Sequence, residues 1–171
     1  MSEPDRVLVL IGPMGAGKTS VGRRVARLLE LPFVDTDKAI VRDHGPIPEI
    51  FAEHGEERFR EWERAAVSDA VALGGVISVG GGAVVSAATR ELLRGVPVVL
   101  LTVSPEAVGP RITGSARPLL AGGEDPVDRW KRIMEERRDW YEEVADATFD
   151  TSRTPMSRVA SRIAAWTRGR A

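Results

Sequence analysis

Residues 12–19 constrain this chain more than any others. They read GPMGAGKT, which satisfies G-x-x-x-x-G-K-[ST]. The pattern carries weight only between a strand and a helix, and both are present. Before it runs the apolar stretch 6–11 (RVLVLI); after it, residues 19–29 place Val21, Val25, Leu28 and Leu29 on one helical face. Glycines let the backbone turn tightly enough for successive amide hydrogens to converge on phosphate oxygens. The helix start adds its unpaired N–H groups and positive end. In such a loop Gly12, Pro13, Met14, Gly15, Ala16 and Gly17 form a cradle for nucleotide phosphates, with Ser20 in the first helical turn behind it. Lys18 reaches the β- and γ-phosphates, and the Thr19 hydroxyl is a magnesium ligand. Only three lysines occur, Lys18, Lys38 and Lys131, so this one is not drawn from a lysine-rich surface. The plain alternative is a glycine-rich strand-to-helix turn with an exposed lysine.

The rest of the chain alternates strand and helix. Further strands are predicted at 33–34, 76–79, 96–103 and 147–149, and helices at 55–73, 125–144 and 155–167. In the first of these helices Phe59, Trp62, Ala66, Ala70 and Leu73 recur at helical spacing. Residues 96–103 (VPVVLLTV) lack polar alternation, as in a parallel strand covered on both faces, and Pro97 fits only near its start. Such alternation over 171 residues predicts one α/β domain with helices on both faces of the sheet. Residues 112–126 (ITGSARPLLAGGEDP) read as a mobile excursion from that core.

Composition removes whole classes of function. With 24 Lys plus Arg against 25 Asp plus Glu, the net charge of -1 gives no basis for wrapping nucleic acid. The absence of cysteine rules out disulfides, Cys-ligated metal centres and thiol catalysis. No apolar run is long enough to span a bilayer, and the start MSEPDR is acidic, so a cytoplasmic protein without membrane contact is expected. With no coiled-coil pattern, the expected state is a monomer.

A phosphate loop implies nucleotide binding but not a reaction, so the second substrate's site must be sought elsewhere. Asp35 and Asp37 (VDTD) follow the second strand, where residues of an open α/β sheet face the binding crevice. At i and i+2 of an extended segment both point the same way, so one can anchor hydrated magnesium and the other accept a substrate hydroxyl. Otherwise Asp37 caps the following helix. Arg60 lies among Glu56 and Glu63, which is also the pattern of a surface charge network. Arg137 stands between Met134 and Tyr141 on the apolar stripe that begins at Trp130. A guanidinium turned inward needs an anion or a wet cavity, unless its head reaches solvent or a structural carboxylate. Arg117, in the mobile segment, can close over a transferring phosphate or remain a loop arginine. Gly80, Gly81 and Gly82 leave room for a ligand at a strand end, or simply make a tight turn. Arg153, after the last strand, can flank an adenine ring or simply belong to a charged loop.

Taken together, these pieces resemble the shikimate kinase family. The resemblance rests on GPMGAGKT at 12–19, VDTD at 34–37, FREWE at 59–63, SVGGGAV at 79–85, ARPLL at 116–120 and ERRDWY at 136–141. It implies a P-loop kinase, a three-layer α/β/α fold with a five-stranded parallel sheet. It implies a substrate-binding subregion at about 35–64 and a mobile lid at about 112–124. It implies ATP-dependent phosphorylation of shikimate, with magnesium as cofactor. On that resemblance Lys18, Asp37 and Arg117 are catalytic, and Thr19 and Asp35 serve the metal, Asp35 through water. Asp37, Arg60, Gly80, Gly81, Gly82 and Arg137 bind shikimate, and Glu63 orients Arg60. Arg111, Arg117 and Arg153 join the loop in holding ATP. Two features depart from the family pattern: Ile112 follows Arg111, leaving the adenine contact open, and Pro46 and Pro48 shorten or redirect a helix start. A kinase for another carboxylated polyol and a nucleotide-dependent switch are the competing functions.

Overall fold

Five short segments pair side by side, all parallel, in the order β2-β3-β1-β4-β5. They are β1 (Val7–Ile11), β2 (Phe33–Asp35), β3 (Gly75–Ser78), β4 (Val98–Thr102) and β5 (Ala147–Asp150). The computed structural model describes residues 6–113 and 123–170. Parallel pairing demands long crossovers, and these are the helices α1 (Lys18–Leu29), α2 (Thr36–His44), α3 (Ile47–Leu73), α4 (Ala87–Leu93), α5 (Pro105–Ile112), α6 (Pro126–Val144) and α7 (Met156–Arg170).

The alternation of side chains along β1 separates two cores. Leu8 and Leu10 pack with Val21 and Val25 of α1 and Val159 and Ile163 of α7. Val7, Val9 and Ile11 face the other way, onto Val67 and Ala70 of α3 and Tyr141 and Val144 of α6. Helix layers on both faces of the sheet complete three layers, as predicted. A third, smaller core of Ile40, Ile50 and Phe59 joins α2 to the first half of α3.

Several expectations need correction. Helical periodicity places Leu28 and Leu73 on the apolar stripes, but they are 42% and 84% exposed. Both sit at or near the last position of their helices, where the stripe runs off the body of the protein. Gly22 and Ala26, and Val67, fill those cores instead. The helix predicted from 55 begins at Ile47. It breaks at Gly55 (φ 82, ψ 170), so the predicted start coincides with a kink. Pro46 and Pro48 mark its beginning, at the N-cap and in the first turn. Asp35, not Asp37, caps α2, accepting from the Lys38 N–H at 3.2 Å. Asp37 lies in the first helical turn, so the two carboxylates do not share an extended segment. Helices α4 and α5 were not foreseen. Arg117 and most of the 112–124 segment lie outside the described residues.

Candidate active site

The switch in strand order beside β1 opens a crevice at the carboxyl ends of the strands. A cavity of about 790 Å³ occupies it. One end is the phosphate loop. Gly12 adopts φ +145, and a Cβ there would lie 2.3 Å from the Leu101 carbonyl oxygen of β4, so no other residue fits. Ala16 is fully buried, and its N–H turns back to the Pro13 carbonyl at 3.2 Å. Ala16 and Pro13 therefore shape the loop rather than offer it donors. Helix α1 starts at Gly17 without a side-chain cap, whereas Asp35, Ser86, Ser104 and Asp125 cap α2, α4, α5 and α6. The first turn of α1, with Thr19 and Ser20, therefore presents its N–H groups and positive end toward the cavity. Lys18 Nζ donates to the Gly12 and Pro13 carbonyls at 2.7 and 3.0 Å, holding the ammonium over the loop.

Thr19 and Asp35, paired by expectation only, are in contact: the Thr19 hydroxyl donates to Asp35 Oδ2 at 3.1 Å. A hydroxyl beside a carboxylate, next to phosphate-binding amides, is the hard-oxygen donor set that magnesium takes when substrate phosphates and water complete its shell. Among the described residues there is no cluster of three His, Cys, Asp or Glu, and magnesium in this role needs none.

The other end is built around Gly80, Gly81 and Gly82. None has a positive φ, so space rather than conformation calls for glycine. A Cβ at Gly80 would meet Asp37 Oδ1 at 2.7 Å and Glu63 Oε2 at 3.1 Å; at Gly82 it would meet both terminal nitrogens of Arg60 at 2.6 Å. Arg60 is bound to Glu63 at 2.8 Å and Glu56 at 3.4 Å. The charge network anticipated as the alternative therefore exists, but the Arg60 side chain is only 14% exposed and lines the cavity. Its Nε is buried without a hydrogen-bond partner among the described residues. Arg137 lines the same cavity from α6. Ile47, Pro48, Phe51 and Phe59 form an apolar wall of the cavity that no local motif signals.

Burial, then the neighbouring Asp35 carboxylate, pushes the Asp37 carboxyl above its ordinary 3.8, against the pull of Lys18 and Arg60. Burial likewise raises Glu63, opposed by its pairing with Arg60. Tyr141 is pushed up to about 12 by burial, so its hydroxyl stays protonated. Arg111 fastens the back of the phosphate loop, donating to Gly15 O at 2.9 Å and to Thr151 O at 2.8 Å. Buried Thr151 in turn donates to Ala16 O at 2.7 Å. Nothing in the local sequence signalled Thr151. Arg153 is exposed and stands apart from the residues lining the cavity.

A phosphate loop after β1, an uncapped helix start and a facing cleft of carboxylates and arginines define a P-loop phosphotransferase for a small acceptor. The family model for shikimate kinase matches residues 14–168. The chain belongs to the shikimate kinase family. It is 48% identical over 159 residues to a shikimate kinase of Rhodococcus erythropolis, covering 91% of this chain and 93% of that protein. To a shikimate kinase of Rhodococcus jostii it is 42% identical over 160 residues, covering 92% and 95%. The structure of shikimate kinase from Acinetobacter baumannii in complex with shikimate is 35% identical. It matches with a TM-score of 0.91, covering 96% of this chain and 94% of that one.

Proposed function

We propose that this chain transfers the γ-phosphoryl group of ATP to the 3-hydroxyl of shikimate, giving 3-phosphoshikimate and ADP. The observation that carries the reading is the single cavity that joins the phosphate loop to Asp37, Arg60 and Arg137. A carboxylated, hydroxylated acceptor matches that lining: guanidinium groups for the carboxylate, Asp37 for a hydroxyl. The subregion at 35–64, with its own small core, carries most of the acceptor side.

In this reading the hydroxyl oxygen of shikimate bonds to the γ-phosphorus, and the bond to the β–γ bridging oxygen breaks. Asp37 orients the hydroxyl and accepts its proton; its raised pKa makes it the better base. Lys18 and the amides at the start of α1 hold the phosphates in line with the acceptor oxygen. Thr19, and Asp35 through water, would hold magnesium, which when bound would neutralise charge on the phosphate oxygens. Arg117 is assigned to the transferring phosphoryl group on the family pattern. Arg60, aimed by Glu63, and Arg137 hold the carboxylate against the glycine loop.

A coupled ADP-release assay over shikimate and related hydroxy acids, with the product identified by mass, tests the proposal. Phosphorylated shikimate should be the main product. Equal turnover of acceptors lacking the carboxylate, or ATP hydrolysis indifferent to shikimate, would refute it.

A further inference from the structure

We propose that Trp130 and Tyr141 are positioning residues: from one face of α6 they hold the phosphate loop and the glycine loop in register, and so set the gap the phosphoryl group crosses. The inference rests on the kinase reading above. Both rings are buried, Trp130 being 5% exposed and Tyr141 1%. Each uses its one polar hydrogen on a backbone carbonyl of a different loop. The Trp130 ring N–H donates to Met14 O at 2.8 Å, 116 residues away. The Tyr141 hydroxyl donates to Gly81 O at 2.5 Å, 60 residues away. Volume alone would be served by phenylalanine at both positions; a buried N–H or O–H needs an acceptor, and here the acceptors are the two loops.

The loops abut one another. A Cβ on Gly81 would stand 3.5 Å from both Gly12 O and Met14 N, and 3.7 Å from Arg137 Nη1. They leave the carboxyl ends of neighbouring strands, β1 and β3, just past a hydrogen bond from the Val79 N–H to Leu10 O at 3.2 Å. Trp130, Arg137 and Tyr141 stand at i, i+7 and i+11 of α6, one stripe about 16 Å long. All three converge on the junction, where Arg137 lines the cavity beside Gly81.

The consequence for the reaction follows from peptide geometry. A planar trans peptide carries its C=O and the next N–H on opposite sides. Drawing Met14 O and Gly81 O onto α6 therefore turns the N–H groups of Gly15 and Gly82 away from that helix. Both glycines line the cavity. Loss of either anchor leaves each substrate its contacts but lets donor and acceptor drift apart, and a misplacement of about 1 Å can cost about 10²-fold in rate.

The test compares Trp130→Phe, Tyr141→Phe and the double variant in steady-state turnover. Calorimetric affinities for Mg-ATP and shikimate are taken on the same folded preparations. Each single variant should lower kcat about 10- to 100-fold with both affinities near wild type. The double variant should lose little more than the worse single one, because either change frees the same junction. Met134→Ala is the packing control, since Met134 contacts both cores from the same stripe and should leave kcat unchanged. Wild-type kcat in folded Tyr141→Phe, a loss confined to substrate affinity, or an equal loss in Met134→Ala would overturn the proposal. Should Trp130→Phe fail to fold, Tyr141→Phe, which keeps the whole ring, decides alone. Wild-type turnover of shikimate, measured alongside, separates failure of this inference from failure of the kinase reading.

Discussion

Adding a single methyl group at each of Gly80, Gly81 and Gly82 should produce three different enzymes. At Gly82 the new Cβ would lie 2.6 Å from both terminal nitrogens of Arg60, where a normal contact is about 3.5 to 4 Å. The guanidinium must retreat by about 1 Å, and its 2.8 Å contact with buried Glu63 opens. A charge-assisted hydrogen bond of this kind contributes about 1.5 to 3 kcal/mol, or about 10- to 100-fold. Gly82→Ala should therefore raise the KM for shikimate by that factor and leave the KM for Mg-ATP nearly unchanged. At Gly80 the methyl meets the Asp37 carboxylate at 2.7 Å, so Gly80→Ala should lower kcat instead. At Gly81 the nearest atoms are 3.5 to 3.7 Å away, an ordinary contact, and the effect should be the smallest of the three. Backbone strain cannot produce this ranking, because none of the three glycines has a positive φ. ADP-release kinetics at varied shikimate and varied ATP would reveal it. Damage at Gly81 equal to that at Gly82, or a Gly82→Ala defect in kcat alone, would refute the reasoning.

Other expected outcomes concern charge. Lys18→Met should fold, keep much of the side-chain volume and lose phosphoryl transfer; near-normal turnover in a folded sample would remove Lys18 from its role. Arg60→Leu and Arg137→Leu should each weaken calorimetric shikimate affinity by about 2 kcal/mol with Mg-ATP affinity intact. Arg117→Leu should lower turnover with acceptor binding retained, and wild-type shikimate affinity in both clamp variants would end the clamp assignment. Because the Asp37 carboxyl is raised above 3.8, the acid limb of kcat should lie above that value and disappear in Asp37→Asn. The same shift opposes folding once Asp37 ionises. Asp37→Asn should therefore raise Tm at neutral pH, a gain that fades as pH falls through the raised value and is gone below 3.8. An acid limb at or below 3.8, or no gain in Tm at neutral pH, would count against a buried, raised Asp37.

The contiguous sequence determined whatever depends on neighbours along the chain. The phosphate loop, its strand and its helix are such a unit, because turn, cradle and helix start are all made by consecutive residues. The parallel sheet with helices on both faces follows from unbroken apolar strands alternating with amphipathic helices. Periodicity does not reveal helix α5, because PEAVGPRI carries two prolines and a glycine in eight residues; Pro105 in its first turn and the Ser104 cap make it possible. Leu28 and Leu73 show the limit of periodicity, which fixes the face of a helix but not where that face stops meeting the sheet.

Only the tertiary structure decided which distant groups share a space. The charge network around Arg60 is present, but the fold buries it against Gly82 at the edge of the cavity instead of leaving it on the surface. Asp35 became the α2 cap while staying within reach of Thr19, two uses of one carboxylate that VDTD does not distinguish. Trp130 and Tyr141 looked like core stripe, and by burial they are. Their hydrogen bonds to Met14 and Gly81 depend on strands β1 and β3 lying side by side beneath α6. Helical periodicity records how much of a side chain is buried, whereas the acceptor that a buried N–H or O–H meets is set by chain segments 60 to 116 residues away.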